Sequence, residues 1–417
     1  MLNTIRRKTK LRSSIIALSL SVSAAFGAAQ AEDGVRARDL GVPFKGETGP
    51  LNAITDVAGV EVGHSTIIRG SGKMVRGKGP VRTGVTAVHP RGKDSTSPVF
   101  GAWFTLNASG EMTGTTWLEE RGLIDGPIMI TNTHSVGVVR DAAVEWMVDQ
   151  GWPAMWHAPV VAETYDGALN DINGFHVKKK HAMEALKTAR SGPVEEGVVG
   201  GGTGMTCNQF KGGIGTSSRR VDVDGEVYTV GVLVQCNYGQ RHHLKQIASV
   251  SVEALNEVPK PCFLDPSLKK YSPVYWKDGC EDAASARQEE KELDGSIIII
   301  VATDAHLLPN QLKRLVKRAS LGMGWLGAVS SDGSGDIFVA FSTAHNDKLS
   351  EEETSSDLTM YPNNRLTPLF EATAQATEEA IVNAMVAAET TTGANTYTVY
   401  ELPEDKLREI MSAHTAK

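Results

Sequence analysis

The chain has 417 residues, of which 41% are hydrophobic and 22% charged, with 42 glycines and a formal net charge of −7. That length supports a large core in one or two domains. Beyond the N-terminal segment no basic run suits a nucleic acid or an anionic lipid surface, and the apolar stretch Ile15 to Phe26 is too short to span a bilayer.

Arg6, Arg7, Lys8, Lys10 and Arg12 precede that apolar stretch, and Ala29-Gln30-Ala31 follows it. This order reads as a signal peptide over residues 1–31, cut before Glu32. The five basic residues leave with it and take the net charge from −7 to −12. The mature protein is expected to be acidic, soluble and exported, periplasmic or secreted, with no membrane association once the signal is gone. Export permits disulfides among Cys207, Cys236, Cys262 and Cys280. Cys262 and Cys280 share one loop-like segment and are the expected pair. Cys236, ending an apolar strand, is read as a buried thiol, and the state of Cys207 stays open. No Cys or His spacing suits a structural metal, and none is expected.

Residues 52–67 read as strand, turn and strand, followed by strands at Val81 to His89, Val99 to Leu106 and Ile128 to Asn132. A helix is expected from Val136 to Gln150, with Ser135 as its cap and Val139, Ala143, Trp146 and Met147 on its apolar face. A second runs from Val177 to Ala189, with Lys178, Lys179 and Lys180 on the solvated side. Gly200 to Gly204 fails the dinucleotide pattern because Met205 stands at its last position, so these glycines read as tight backbone packing. Gly72 to Lys78 comes near a phosphate loop but has Gly79 where a serine or threonine is needed; it reads as a basic loop. Tyr228 to Cys236 is a strand.

Residues 240–295 carry Pro259, Pro261, Pro266 and Pro273 and end in charge, the composition of an inserted linker running over the surface. Five β-branched residues, Ile297 to Val301, then follow Gly295-Ser296 and read as a strand buried on both faces. Helices are expected from Pro309 to Leu321 and from Thr367 to Thr390, with strands at Ile337 to Thr343 and Tyr397 to Tyr400. Mixed strands and helices without a regular βαβ beat, several strands being doubly buried, call for stacked sheets with helices outside: an α/β fold of four α/β/β/α layers.

A serine first on a buried strand, behind a glycine and a solvated segment, is a plausible self-cleaving bond. Cleavage there would unite a hydroxyl nucleophile and an α-amine base in one residue. Taken alone, Gly295-Ser296 reads first as a loop end, and it is the rest of the chain that reverses this. Neither a G-x-S-x-G elbow nor an H-E-x-x-H pair is present. What remains is a set of polar residues at strand ends: Glu163 to Asp166, Asn237 to Gly239, and Asp332 to Asp336. Each alone is turn chemistry; together they offer a serine, an amide donor, a phenol and a carboxylate, the parts of an acyl-transfer site.

With these residues in view, the chain resembles the DmpA-like family of self-processing serine aminopeptidases, the L-aminopeptidase/D-amidase-esterases and β-peptidyl aminopeptidases. The likeness is carried by Asn52 to His64, Gly200 to Gly215, Val232 to Gly239, Ser296 to Asn310 and Gly333 to Thr343. It implies layers similar to N-terminal nucleophile hydrolases but of separate topology. It implies Ser296 as nucleophile, released by cleavage after Gly295, and two chains, 32–295 and 296–417, that stay together and form higher oligomers. It places the supporting serine and acid at Ser334 and Asp336, the oxyanion donor at Asn237, the active-site tyrosine at Tyr165, and the carboxylate for the substrate's free amine at Glu163. Asp336 departs from the family's glutamate by one methylene. The substrates implied are small peptides, amides or esters with a free amino terminus, and no cofactor is required. The alternatives are an acyltransferase of the ornithine acetyltransferase type and an exported binding protein that stays uncut.

Overall fold

The structure is a computed structural model, described over residues 34–272, 280, 295–345 and 357–416. The signal segment and the charged stretch Arg287 to Asp294 lie outside the described residues.

Two sheets form the centre. The smaller holds β1 (Glu61–Arg69), β2 (Val81–His89), β5 (Ile128–Asn132) and β6 (Val160–Thr164), in that order. The larger has six strands in the order β4 (Leu123–Ile124), β3 (Val99–Ala108), β10 (Gly335–Ser342), β9 (Ser296–Thr303), β8 (Glu226–Asn237) and β7 (Gly213–Val223). β9 runs parallel to β10 and antiparallel to β8.

Side chains alternate along a strand, so each strand of the larger sheet feeds two cores. Leu233, Ile298, Ile300, Ile337 and Val339 meet Val62, Val88, Ile128, Ile130 and Val160 between the sheets. Val232, Val234, Ile297, Ile299, Phe338 and Ala340 face the other way, onto Leu312, Leu315, Met323, Ala380, Ile381 and Ala384. These belong to α4 (Pro309–Val316), α5 (Ala319–Trp325) and α6 (Thr367–Val386), introduced after α1 (Thr115–Arg121), α2 (Val136–Asp149) and α3 (Lys179–Thr188). On the far side Val85, Ala87, Met129 and Val161 pack on Val139, Trp146, Ala182 and Leu186 of α2 and α3. The layers are therefore α/β/β/α, and all eight residues of β9 are buried in the middle of them.

The structure departs from the sequence expectations in five places. Residues 52–60 hold a 3₁₀ turn, Ile54–Asp56, in place of a strand. Asn52 sits at φ +46°, and Asp56 accepts from the amides of Leu51 and Ala53, so turn chemistry overrides the apolar pattern. The helix expected from Pro309 to Leu321 is two helices, α4 and α5. The polar run Gly213 to Val223 is a strand. Gln240 to Ser272 does not simply run over the surface: Leu244, Ile247, Val250, Val252 and Leu255 are buried in the core beneath α6. Finally, Cys236 is not a thiol. It is bonded to Cys207, with Cα atoms 5.5 Å apart. A short hairpin pairing Thr206–Cys207 with Phe210–Lys211 folds onto the end of β8, where a β-carbon on Gly212 would lie 2.4 Å from the Cys236 carbonyl oxygen. Only glycine allows that approach. Cys262 and Cys280 are also bonded, with Cα atoms 4.9 Å apart.

Candidate active site

The site lies where β8, β9 and β10 share one end of the larger sheet. Asn237 is the last residue of β8 and opposes Ser296, the first of β9; Ser296 opposes Gly335, the first of β10. Pairing thus places three chain-distant residues side by side, and the apolar run Ile297 to Val301 fixes the register, because a one-residue slip would swap its two core faces. The Gly335 N–H donates to Ser296 Oγ at 3.2 Å. Ser334 Oγ donates to Asp336 Oδ1 at 2.7 Å, so the shorter acid reaches its serine. Burial raises the Asp336 carboxyl above its ordinary range, against hydrogen bonds from Ser334, Ser330 and the Ile297 amide.

Asn237 is held at both ends of its amide. Its Oδ1 accepts from Thr206 N at 2.8 Å, and its Nδ2 donates to the Tyr165 carbonyl at 3.0 Å. A primary amide has two N–H groups, so this set leaves Nδ2 a second donor. Tyr165 follows β6 in the other sheet and joins the site through its backbone; its half-exposed ring folds over Gly167, which has no side chain to meet it.

Glu163, on β6, is 3% exposed. Its Oε1 accepts from the Glu111 amide at 2.9 Å, and its Oε2 from the Thr133 hydroxyl. Burial pushes its carboxyl up, while those two donors pull it down. Gly110 connects it to the strand end that holds Ser296 and Gly335: a β-carbon there would stand 3.1 Å from Glu163 Oε1 and 3.3 Å from Gly335 Cα. A carboxylate from the smaller sheet therefore reaches the strand end of the larger one. Beside Ser334 a cleft opens, lined by Tyr238, Gly239, Gln240, His243 and Val329 to Ser331.

All six polar residues singled out in the sequence belong to this neighbourhood. Sequence reasoning assigned no role to the groups that hold them, Asp166 included. Thr133 and the Glu111 amide clamp Glu163. Asp166 accepts from Asn132 Nδ2 at 2.9 Å and Asn170 Nδ2 at 3.0 Å beneath Tyr165, and burial pushes it up to about 6. Lys211 is fully buried, and desolvation lowers it to about 7. A single cation inside the apolar, glycine-rich run Phe210 to Ile214 was the available signal for it.

A serine at the head of a central strand, flanked by an asparagine and a buried carboxylate in an α/β/β/α frame, has the make-up of a hydrolase site. Residues 52–399 match the family described as Peptidase family S58, and the chain belongs to it. It is 58% identical over 388 residues to the β-peptidyl aminopeptidase BapA of Sphingosinicella microcystinivorans, covering 93% of this chain and 94% of that one. It is 44% identical to the BapA of Sphingosinicella xenopeptidilytica, over 96% and 95% of the two chains. The L-aminopeptidase D-Ala-esterase/amidase of Ochrobactrum anthropi superposes with a TM-score of 0.79 at 42% identity, over 91% of this chain and 99% of that one. That structure is described as a prototype for the serine aminopeptidases and a new variant among the Ntn hydrolase fold.

Proposed function

We propose that this chain is an exported aminopeptidase that cuts itself between Gly295 and Ser296 and then removes β-aminoacyl residues from the free amino end of small peptides and amides. The substrate class follows the activity named for both BapA relatives. Export rests on the basic and apolar segments ahead of Glu32.

The observation that carries the reading is the placing of Ser296 at the first position of β9, with the Gly335 N–H on its hydroxyl and Asn237 opposite. In the precursor, Ser296 Oγ attacks the Gly295 carbonyl carbon. The C–N bond breaks, an ester forms, and the nitrogen leaves as the Ser296 α-amine. Water then hydrolyses the ester and frees the Gly295 carboxylate. In the mature enzyme Ser296 Oγ attacks the substrate's acyl carbon while the α-amine, with a reference pKa of about 7.7–8.0, takes the hydroxyl proton. Asn237 Nδ2 donates to the oxyanion, a contribution typically worth about 2.7–4 kcal/mol. The leaving amine takes up the proton, and water discharges the acyl-enzyme by the same route in reverse. Ser334, backed by Asp336, orients the serine. Glu163 binds the substrate ammonium, which makes a free amino terminus a requirement. The two products stay together because β9 and β10 are hydrogen-bonded to β8 and β3 on either side, and a homo-oligomer of these pairs is the expected assembly.

Mass spectrometry of the purified protein tests the reading. Fragments ending at Gly295 and beginning at Ser296 are expected, with an uncut and inactive Ser296→Ala chain. A fully active wild-type protein that is still one chain overturns it.

A further inference from the structure

We propose that Lys211 is a positioning residue for the oxyanion donor, acting on Asn237 through the peptide group that joins Met205 to Thr206. The inference rests on the reading of Asn237 given above.

Lys211 Nζ donates to three backbone carbonyls: Gly212 O at 2.7 Å, Met205 O at 2.8 Å and Gly202 O at 3.4 Å. Three acceptors match the three protons of an ammonium, and a neutral amine would leave one of them short. The Met205 carbonyl also accepts from Gly212 N at 3.0 Å. The other end of that same peptide plane is the Thr206 N–H, which donates to Asn237 Oδ1 at 2.8 Å. A cation at the peptide oxygen draws electron density toward it, which makes the N–H a stronger donor. That N–H in turn polarises the Asn237 carboxamide and sharpens the donor character of Nδ2. Such chains of hydrogen bonds strengthen one another in a dry interior. The geometry is held covalently as well, because the bonded cysteines Cys207 and Cys236 directly adjoin Thr206 and Asn237. In its ammonium form Lys211 is thus buried three hydrogen bonds from the forming oxyanion, the last of them made by Asn237 itself, without occupying the substrate's space.

A double-mutant cycle separates this role from simple core support. Wild type, Lys211→Gln, Asn237→Ala and the double variant are purified as processed protein. kcat and KM are measured on a β-aminoacyl p-nitroanilide per titrated serine. Lys211→Gln should lower kcat about 10-fold and leave KM within about 2-fold, while Asn237→Ala lowers kcat about 10²–10³-fold. In the Asn237→Ala background Lys211→Gln should then change kcat less than about 2-fold. The same factor in both backgrounds, or an unchanged kcat in Lys211→Gln, overturns the relay alone. An Asn237→Ala enzyme as fast as wild type overturns the site reading and the relay with it. Lys211→Met is the second neutral variant. Should neither neutral chain fold, the test moves to ¹⁵N-threonine-labelled wild type. There the Thr206 amide proton, identified by its loss in Thr206→Ser, should lie downfield of the other threonine amides. An ordinary position overturns the proposal.

Discussion

Gly295 lies against Asn237 so closely that a β-carbon on Gly295 would fall 2.2 Å from the Asn237 carbonyl oxygen and 2.7 Å from Tyr238 Cα. Both contacts are to backbone, which cannot swing aside as a side chain can. The residue before Ser296 is therefore fixed by the strand that ends in Asn237.

Gly295→Ala should consequently push the chain away from β8 at the bond to be cut. The expected outcome is a folded precursor that remains largely uncut over hours, read by denaturing gel and mass spectrometry. Cleavage at the wild-type rate would show that this contact does not set the geometry of the reaction.

Glu163 must be ionised to pair with an ammonium. Its carboxyl is raised by burial, so protonation begins above the ordinary glutamate range as pH falls. The inhibition constant of a competitive free-amine inhibitor should rise toward acid, with a midpoint above about 4.5. Glu163→Gln should abolish that limb and weaken the inhibitor by about 10-fold or more, because a buried charge partner is lost. N-blocked ligands should not notice the change. Equal weakening of blocked and free ligands would remove Glu163 from this role.

His89 carries a stability prediction. It is buried beside Trp146, its Nε2 lies 3.2 Å from the Leu186 carbonyl, and burial lowers it to about 4, with Lys93 lowering it and Asp94 raising it further out. The unfolded chain takes up this proton near pH 6.5 while the native chain refuses it, so stability falls as pH drops through that window. The loss from this residue between about pH 7 and pH 5 is on the order of 2 kcal/mol. In denaturant titrations His89→Gln should flatten the acid side of the stability curve. A curve parallel to wild type would contradict the assignment.

The two disulfides should differ in reactivity. Cys207 and Cys236 are both fully buried, whereas Cys280 is partly exposed. Mild reductant followed by alkylation should label Cys262 and Cys280 first, with Cys207 and Cys236 reacting only on unfolding. Replacing the inner pair should cost about 3 kcal/mol, seen as a lower Tm. Simultaneous labelling of all four positions would count against the burial argument.

The readable parts of this sequence were those whose interior is apolar. Ile297 to Val301 announced β9, and the stripe Val139, Ala143, Trp146 and Met147 announced α2, because burial and periodicity coincide there. β7 escaped for the opposite reason. Its buried residues Ser217, Ser218 and Arg219 are polar and satisfied by distant partners: the Ala376 carbonyl, Asp56 and Glu379. No local pattern encodes such partners. Cys207 and Cys236 are 29 residues apart and meet only because a hairpin folds over a glycine. The site residues at strand ends were visible as types, and their roles came from family likeness. Their convergence belongs to strand register, which pairs residues far apart along the chain.

The order of strands in the larger sheet has a consequence for reversibility. From β3 to β8 it runs β3, β10, β9, β8, so segments that follow Gly295 are enclosed on both sides by segments that precede it. Folding of the uncut chain is a one-body event. After a cut at Gly295, the same assembly is a two-body event, in which a fragment carrying β9, β10 and the helices α4 to α6 must find its slot between β8 and β3. Melted mature protein should then recover poorly at high dilution and better as concentration rises, while an uncut Ser296→Ala chain should refold independently of concentration. The mature enzyme would owe its structure to a connection it no longer has.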